Sequence, residues 1–178
     1  MTQQPSSTPP IGDTAPELSH IDQTGAAHMV DVSDKPITTR KATAEGFVRI
    51  SITLEQAIRD NTVKKGSVLE IARLAGILAA KRTDELIPLC HTLPLDTVEI
   101  AATLEPGRVR ITATARTQSR TGVEMEALTA VAVACLTVID MGKAIDKAMV
   151  IEGVRVLEKH GGRSGAYTAV PTPQGGRS

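Results

Sequence analysis

An α+β sandwich with an antiparallel sheet is the fold class that three features of the sequence predict. Two stretches rich in β-branched residues, 97–104 and 108–118, are joined by the turn signal Glu105-Pro106-Gly107 and read as a hairpin. A long Ala-rich apolar segment without interior Gly or Pro follows, as a core helix requires. A strand-plus-helix segment before the hairpin and a last strand after the long helix complete the order βαββαβ, that of a ferredoxin-like sandwich.

Residues 42–51 form the first expected strand, with Phe47 as the only phenylalanine of the chain. A short helix is expected over 54–60. A better one starts after Ser67, because Ser67 and Glu70 have capping-box spacing and residues 68–81 are apolar at helical intervals. Residues 86–95 hold Pro88 and Pro94 and are expected to be irregular. The long helix runs over 123–141, and residues 150–159 close the sheet. Residues 1–17 are Pro-rich and polar, which places them outside any core as a disordered extension. The single domain spans 18–166, and 167–178 read as a flexible tail.

A chain of 178 residues suffices for one domain with its own core. One Phe, one Tyr and no Trp leave that core to Ala, Val, Ile and Leu. Such a core has little bulk per residue, so burial between subunits would supplement it, and an oligomer is expected. A formal net charge of +0 argues against a broad nucleic-acid footprint, so any anion site must be a local cluster of cations. Cys90 and Cys135 lack CxxC spacing and a secreted framework, which fits a reducing, cytoplasmic compartment. No stretch reads as a membrane span and no signal peptide is evident. Walker A, GxSxG and dinucleotide motifs are absent.

Charged residues that interrupt apolar segments are the candidates for chemistry. Glu124 and Glu126 flank Met125 at the start of the long helix. Asp140 and Lys143 lie near its end, three residues apart and so on one face. The plain alternative is that the glutamates favour the N-terminal dipole and the second pair is a surface ion pair. About 21 Å of helix separates Glu126 from Asp140. One compact pocket cannot use both ends, so a single site drawing on both needs a second copy of the chain. Lys64-Lys65-Gly66 suits an anion at a helix start, or is an ordinary solvated loop. In Cys90-His91, partner ligands with metal spacing are missing, which disfavours zinc; His91 suits a proton carrier or substrate hydrogen-bond donor, or is an ordinary hydrogen-bonded loop histidine. Lys159 to Gly165 combines cations with glycines that can turn amides to a phosphate, a pattern that flexible tails share.

Ordered blocks then carry a resemblance. They are His20-Ile21-Asp22, Met29-Val30-Asp31-Val32-Ser33, Lys65-Gly66, Ala72-Arg73, Ala79 to Thr83 and Leu86-Ile87-Pro88-Leu89-Cys90-His91. The longest is Thr121-Gly122-Val123-Glu124-Met125-Glu126-Ala127-Leu128-Thr129-Ala130, continued by Asp140-Met141 and closed by Gly161-Gly162 and Ser164-Gly165. Together they cover most of residues 18–166, and the chain resembles the cyclic pyranopterin monophosphate synthase family, the C protein of molybdenum cofactor synthesis. The resemblance implies a ferredoxin-like homohexamer, a trimer of dimers with sites between subunits. It implies a lyase that converts 3′,8-cyclo-7,8-dihydro-GTP to cyclic pyranopterin monophosphate and diphosphate. By matched position it implies catalytic roles for Asp140, Lys143 and Lys65, with Asp140 first for proton transfer. Leu89, Cys90, His91, Glu124, Met125 and Glu126 would line the substrate pocket, and Lys159 and Arg40 would bind triphosphate. No cofactor or resident metal is implied; a divalent ion with the triphosphate stays open. The match departs at Thr92, where the family has Pro, at Gly142, where Cys is common, and at Arg163, where Lys is frequent. Nucleic acid and membrane are not expected partners. A non-catalytic nucleotide-binding oligomer and a structural module are the rival classes.

Overall fold

A computed structural model describes residues 25–162 and 165–170. The expected Pro-rich extension, the His20-Ile21-Asp22 match, Arg163, Ser164 and residues 171–178 lie outside the described residues. Every element below lies within residues 31–178, one compact unit.

The elements are β1 (Thr38–Arg49), α1 (Ile52–Arg59), α2 (Val68–Ala80), α3 (Thr83–Leu86), β2 (Thr97–Glu105), β3 (Arg108–Ser119), α4 (Glu124–Gly142), β4 (Val150–His160) and β5 (Tyr167–Thr168). The sheet order is β2-β3-β1-β4-β5 with antiparallel neighbours throughout. Its first four strands have the ferredoxin-like arrangement that the element order predicts. β5, inside the segment expected to be a tail, pairs Tyr167 with Lys159 and Thr168 with Glu158. Two residues carry too short a pattern to be read as a strand from sequence.

β1 lies between β3 and β4 and pairs with β3 without interruption from Thr38↔Ser119 to Arg49↔Arg108. Its alternation sends Ala42, Ala44 and Val48 into the core, and β3 does the same with Val109, Ile111, Ala113 and Ala115. Against this face lies α4, whose Ala127, Ala130, Val131, Ala134, Cys135 and Val138 are completely buried. α4 is long and apolar enough by length and composition to cross a membrane, contrary to the reading that no stretch is, but over half of it is buried inside the fold. A membrane span and a core helix share that composition, and burial identifies this one as core.

The capping box expected at Ser67 does not form. Ser67 has extended backbone but makes no side-chain cap bond, and Glu70 pairs with Arg73 at 2.9 Å instead. The hydroxyl cap lies at α1, where Ser51 Oγ accepts from Leu54 N at 3.3 Å. Asp146 accepts from Ser51 N at 2.6 Å and from Ala148 N at 2.9 Å, tying the end of α4 to the start of α1.

α2 reaches α4 through Gly76. A Cβ there would lie 2.5 Å from Ile100 Cδ1 and 2.9 Å from the Ala130 carbonyl oxygen. Backbone cannot yield as a side-chain tip can. Gly76→Ala should therefore destabilise by about 1–3 kcal/mol through overpacking, although alanine gains about 1 kcal/mol in helix propensity. Urea unfolding of the two proteins measures which effect wins.

Candidate active site

The two ends of α4 hold different electrostatic environments. At the C-terminal end, Asp140 accepts from Lys143 Nζ at 2.7 Å on one carboxylate oxygen and from Lys65 Nζ at 2.6 Å on the other. Lys65 Nζ also donates to the Asp140 carbonyl at 3.0 Å. Lys143 arrives by helical spacing, but Lys65 comes from the loop before α2, 75 residues away. The three expected catalytic residues thus form one exposed cluster. Hydrogen bonds from Lys143 and then Lys65 hold the Asp140 carboxyl down at about 2. Asp140 is ionised at any physiological pH.

The N-terminal end holds the buried Glu126 in its first turn, only 4% exposed. Burial pushes its carboxyl up to about 7; its own backbone N–H opposes the rise, and the charges of Glu124 and Asp84 add to it. Cys90 is half-buried beside it, its thiol raised by burial first, then by Glu126 and Asp84. Leu89 and His91 flank Cys90 in the irregular loop and are also half-buried, and Met125 is 37% exposed. Glu126, in the first turn of α4, lies near enough to Cys90 for its charge to raise the thiol.

Next to this turn lies a cavity of about 640 Å³ lined by Arg40, Glu124 and Lys159 among others. Lys159 Nζ pairs with Glu124 Oε1 at 3.0 Å. Arg40 is 8% exposed and spends Nε and Nη2 on the Ser119 and Arg120 carbonyls, both at 3.2 Å. Its Nη1 lies where a Cβ on Gly162 would fall, so only glycine permits that approach. Gly162 also has φ +89, a left-handed conformation open to glycine. Lys35, Lys41, Arg120 and His160 line the same cavity, and sequence reasoning missed them. Arg120 Nε donates to the Lys35 carbonyl at 3.1 Å, joining the loop before β1 to the turn before α4. Lys35 and Arg120 lie 85 residues apart, and no local spacing signals such a pair.

The predicted residues therefore do not form one group. Arg40, Glu124 and Lys159 line the cavity at the start of α4, whereas Leu89, Cys90, His91, Met125 and Glu126 are not part of its lining, and Lys65, Asp140 and Lys143 gather at the far end of the helix. Among the described residues no group of three or more His, Cys, Asp or Glu side chains is arranged to hold a metal ion.

Glu126 gives the site a pH signature in stability. The folded chain keeps this proton up to about pH 7, whereas an unfolded glutamic acid releases it near 4.5. Raising the pH through that window removes stability, on the order of 3 kcal/mol in all. Glu126→Gln should flatten this dependence and be more stable than the parent at pH 8, as urea titrations at pH 4.5 and pH 8 will measure.

Comparison with known proteins identifies relatives over most of the chain. The model of the MoaC family matches residues 29–162. A protein of Methylobacterium sp. (strain 4-46) named cyclic pyranopterin monophosphate synthase is 59% identical over 157 residues, covering 86% of this chain and 98% of the relative. One of Streptomyces griseus with the same name is 54% identical over 167 residues, 94% of each. Cyclic pyranopterin monophosphate synthase 1 of Mycobacterium bovis is 56% identical over 156 residues, 87% of this chain and 92% of the relative.

Proposed function

The chain belongs to the MoaC family, and from that premise we propose that it is a cyclic pyranopterin monophosphate synthase of molybdenum cofactor biosynthesis. It is a lyase that converts 3′,8-cyclo-7,8-dihydro-GTP to cyclic pyranopterin monophosphate and diphosphate. The observation that carries this reading is the Asp140 carboxylate held between Lys65 and Lys143, cations from distant parts of the chain. An ion pair kept only for stability at such an exposed position contributes little, which favours a chemical use.

The two carboxylates of α4 suit different tasks. A carboxylate held at about 2 is a poor proton acceptor near neutrality, so Asp140 aligns Lys65 and Lys143. The two ammonium groups then donate to the substrate and stabilise charge as diphosphate leaves. Glu126, at about 7, suits proton exchange during opening and reclosure of the guanine-derived ring. The cations around the cavity, Arg40 and Lys159 foremost, fit the triphosphate. Cys90 and His91, outside that cavity's lining, take the ring system by their matched family positions. The α-phosphorus is attacked by a substrate hydroxyl, its bond to the bridging oxygen breaks, and diphosphate departs with that oxygen. No cofactor is needed for this balance, and a divalent ion beside the triphosphate is compatible with it.

One substrate molecule cannot touch both ends of a helix of 19 residues. Each site therefore combines the Asp140 cluster of one subunit with the cavity of another, in a hexamer built as a trimer of dimers. Ile71, Leu74 and Leu78 support such contacts: they recur at helical spacing on α2 and stand 45%, 51% and 52% exposed. Two free cysteines fit a cytoplasmic enzyme.

Incubation of the purified chain with 3′,8-cyclo-7,8-dihydro-GTP should yield cyclic pyranopterin monophosphate and one diphosphate, followed by chromatography and mass. Asp140→Ala and Lys143→Ala should each lower kcat at least about 100-fold without dissociating the oligomer. A mixture of Asp140→Ala and Lys159→Ala chains should regain part of the activity, because some mixed interfaces contain two intact halves. Full activity of a monomer would end the shared-site reading.

A further inference from the structure

The segment between α3 and β2 carries Cys90 and His91 on ten residues that form neither helix nor strand. Such a segment holds a side chain in place only where it is tied down. Cys90 N donates to the Ile87 carbonyl at 3.0 Å, which closes a local turn. Thr117 Oγ1, on β3, donates to the Pro94 carbonyl at 2.5 Å and fixes the far end. Between these ties, the residue next to His91 supplies a third. Thr92 Oγ1 donates to Asp84 Oδ2, a bond from the loop back to α3. α3 is itself anchored, because the buried Thr83 Oγ1 donates to the Ala80 carbonyl at 3.1 Å, and it packs on α4. The chain from α4 through α3, Asp84 and Thr92 thus ends on the peptide that bears His91.

We propose that Asp84 is a positioning residue of this enzyme, its carboxylate clamping the Cys90-His91 turn through Thr92 while lying near Cys90 and Glu126. The inference rests on the proposed reading of Cys90, His91 and Glu126 as substrate-facing groups. Asp84 touches neither substrate nor reacting atoms, and it acts through the loop and through its charge. The groups that face Glu126 are Glu124 from its own helix, Asp84 from α3 and Cys90 from the loop, with Lys159 of β4 reaching Glu124. Among the described residues the hydrogen bond to the Asp84 carboxylate comes from the Thr92 hydroxyl.

The two actions separate by substitution in the full-length chain. Thr92→Val removes the donor and keeps the charge. It should lower kcat/KM about tenfold to a hundredfold, as expected for a displaced contact group, with no shift of the pH profile. Thr92→Ser restores the hydroxyl and should restore the rate. Asp84→Asn keeps an acceptor oxygen and removes the charge. It should leave the loop in place and move the pH limb due to Glu126 to lower pH. Alkylation of Cys90 by iodoacetamide supplies a readout independent of turnover, since Cys135 is fully buried with its thiol pushed up to about 12. Asp84→Asn should speed that alkylation at fixed pH by favouring the thiolate, and Thr92→Val should speed it by loosening the loop, with Thr92→Ser reversing the effect. Parent-like kcat/KM and alkylation in both Thr92→Val and Asp84→Asn would overturn the proposal. If the parent chain itself fails to turn over the cyclised GTP derivative, the proposed reaction falls while alkylation still decides whether the clamp exists.

Discussion

The close approach of α4 to the centre of the sheet is the constraint on which the rest depends. Small residues on the buried face of the helix and alanines on β1 and β3 bring backbone near backbone, with Gly76 of α2 admitting the Ala130 carbonyl on the other side. Dispersion and apolar burial then come from many short contacts rather than a few aromatic rings. A helix fixed this way along its whole length is a rigid spacer. It holds one polar cluster at each end and keeps them apart, and both clusters inherit their geometry from it.

The same helix gives two carboxylates opposite properties. Asp140 emerges into solvent between two lysines, and its charge is satisfied there. Glu126 is carried into the interior beside other carboxyl groups, and its charge is penalised there. Environments that push two titratable groups apart divide the work of proton transfer and charge stabilisation between them. Neither property belongs to the residue type: burial raises Glu126, and the two lysine hydrogen bonds lower Asp140.

Charge on the opposite face of the sheet follows a related logic. Glu45 is 3% exposed although it points away from the helices, because Arg110 and Arg155 each pair with it at 2.8 Å. Arg108 and Arg110 stack over the ring of Phe47, at 4.4 Å and 5.8 Å from its centroid. Three guanidinium groups, with Arg110 shared, thereby close over a carboxylate and an aromatic ring on strands that would otherwise present them to water. Arg110 Nε is the buried side-chain nitrogen left without a partner among the described residues.

By itself the sequence determined the element order, the antiparallel sheet, the apolar face of α4 and the pairing of Asp140 with Lys143. Each of these depends on local periodicity, turn chemistry or spacing along one helix, which adjacent residues encode. Element ends shifted by a few residues, and α3 and β5 went unread because four and two residues show no period. The box at Ser67 failed because Glu70 found Arg73 on its own helix instead. Lys65 and the Cys90-His91 pair stood out by residue type and loop context with ordinary alternatives open, and Arg40 was reached only through the family resemblance. Tertiary structure alone decided that Lys65 reaches Asp140, that Arg120 and Lys35 join the cavity and that Asp84 holds Thr92. It alone decided that Glu126 is buried while Asp140 is not. The physical reason is the same in each case: long-range contact and solvent exclusion depend on how the elements are stacked, and no residue's neighbours in the chain record that.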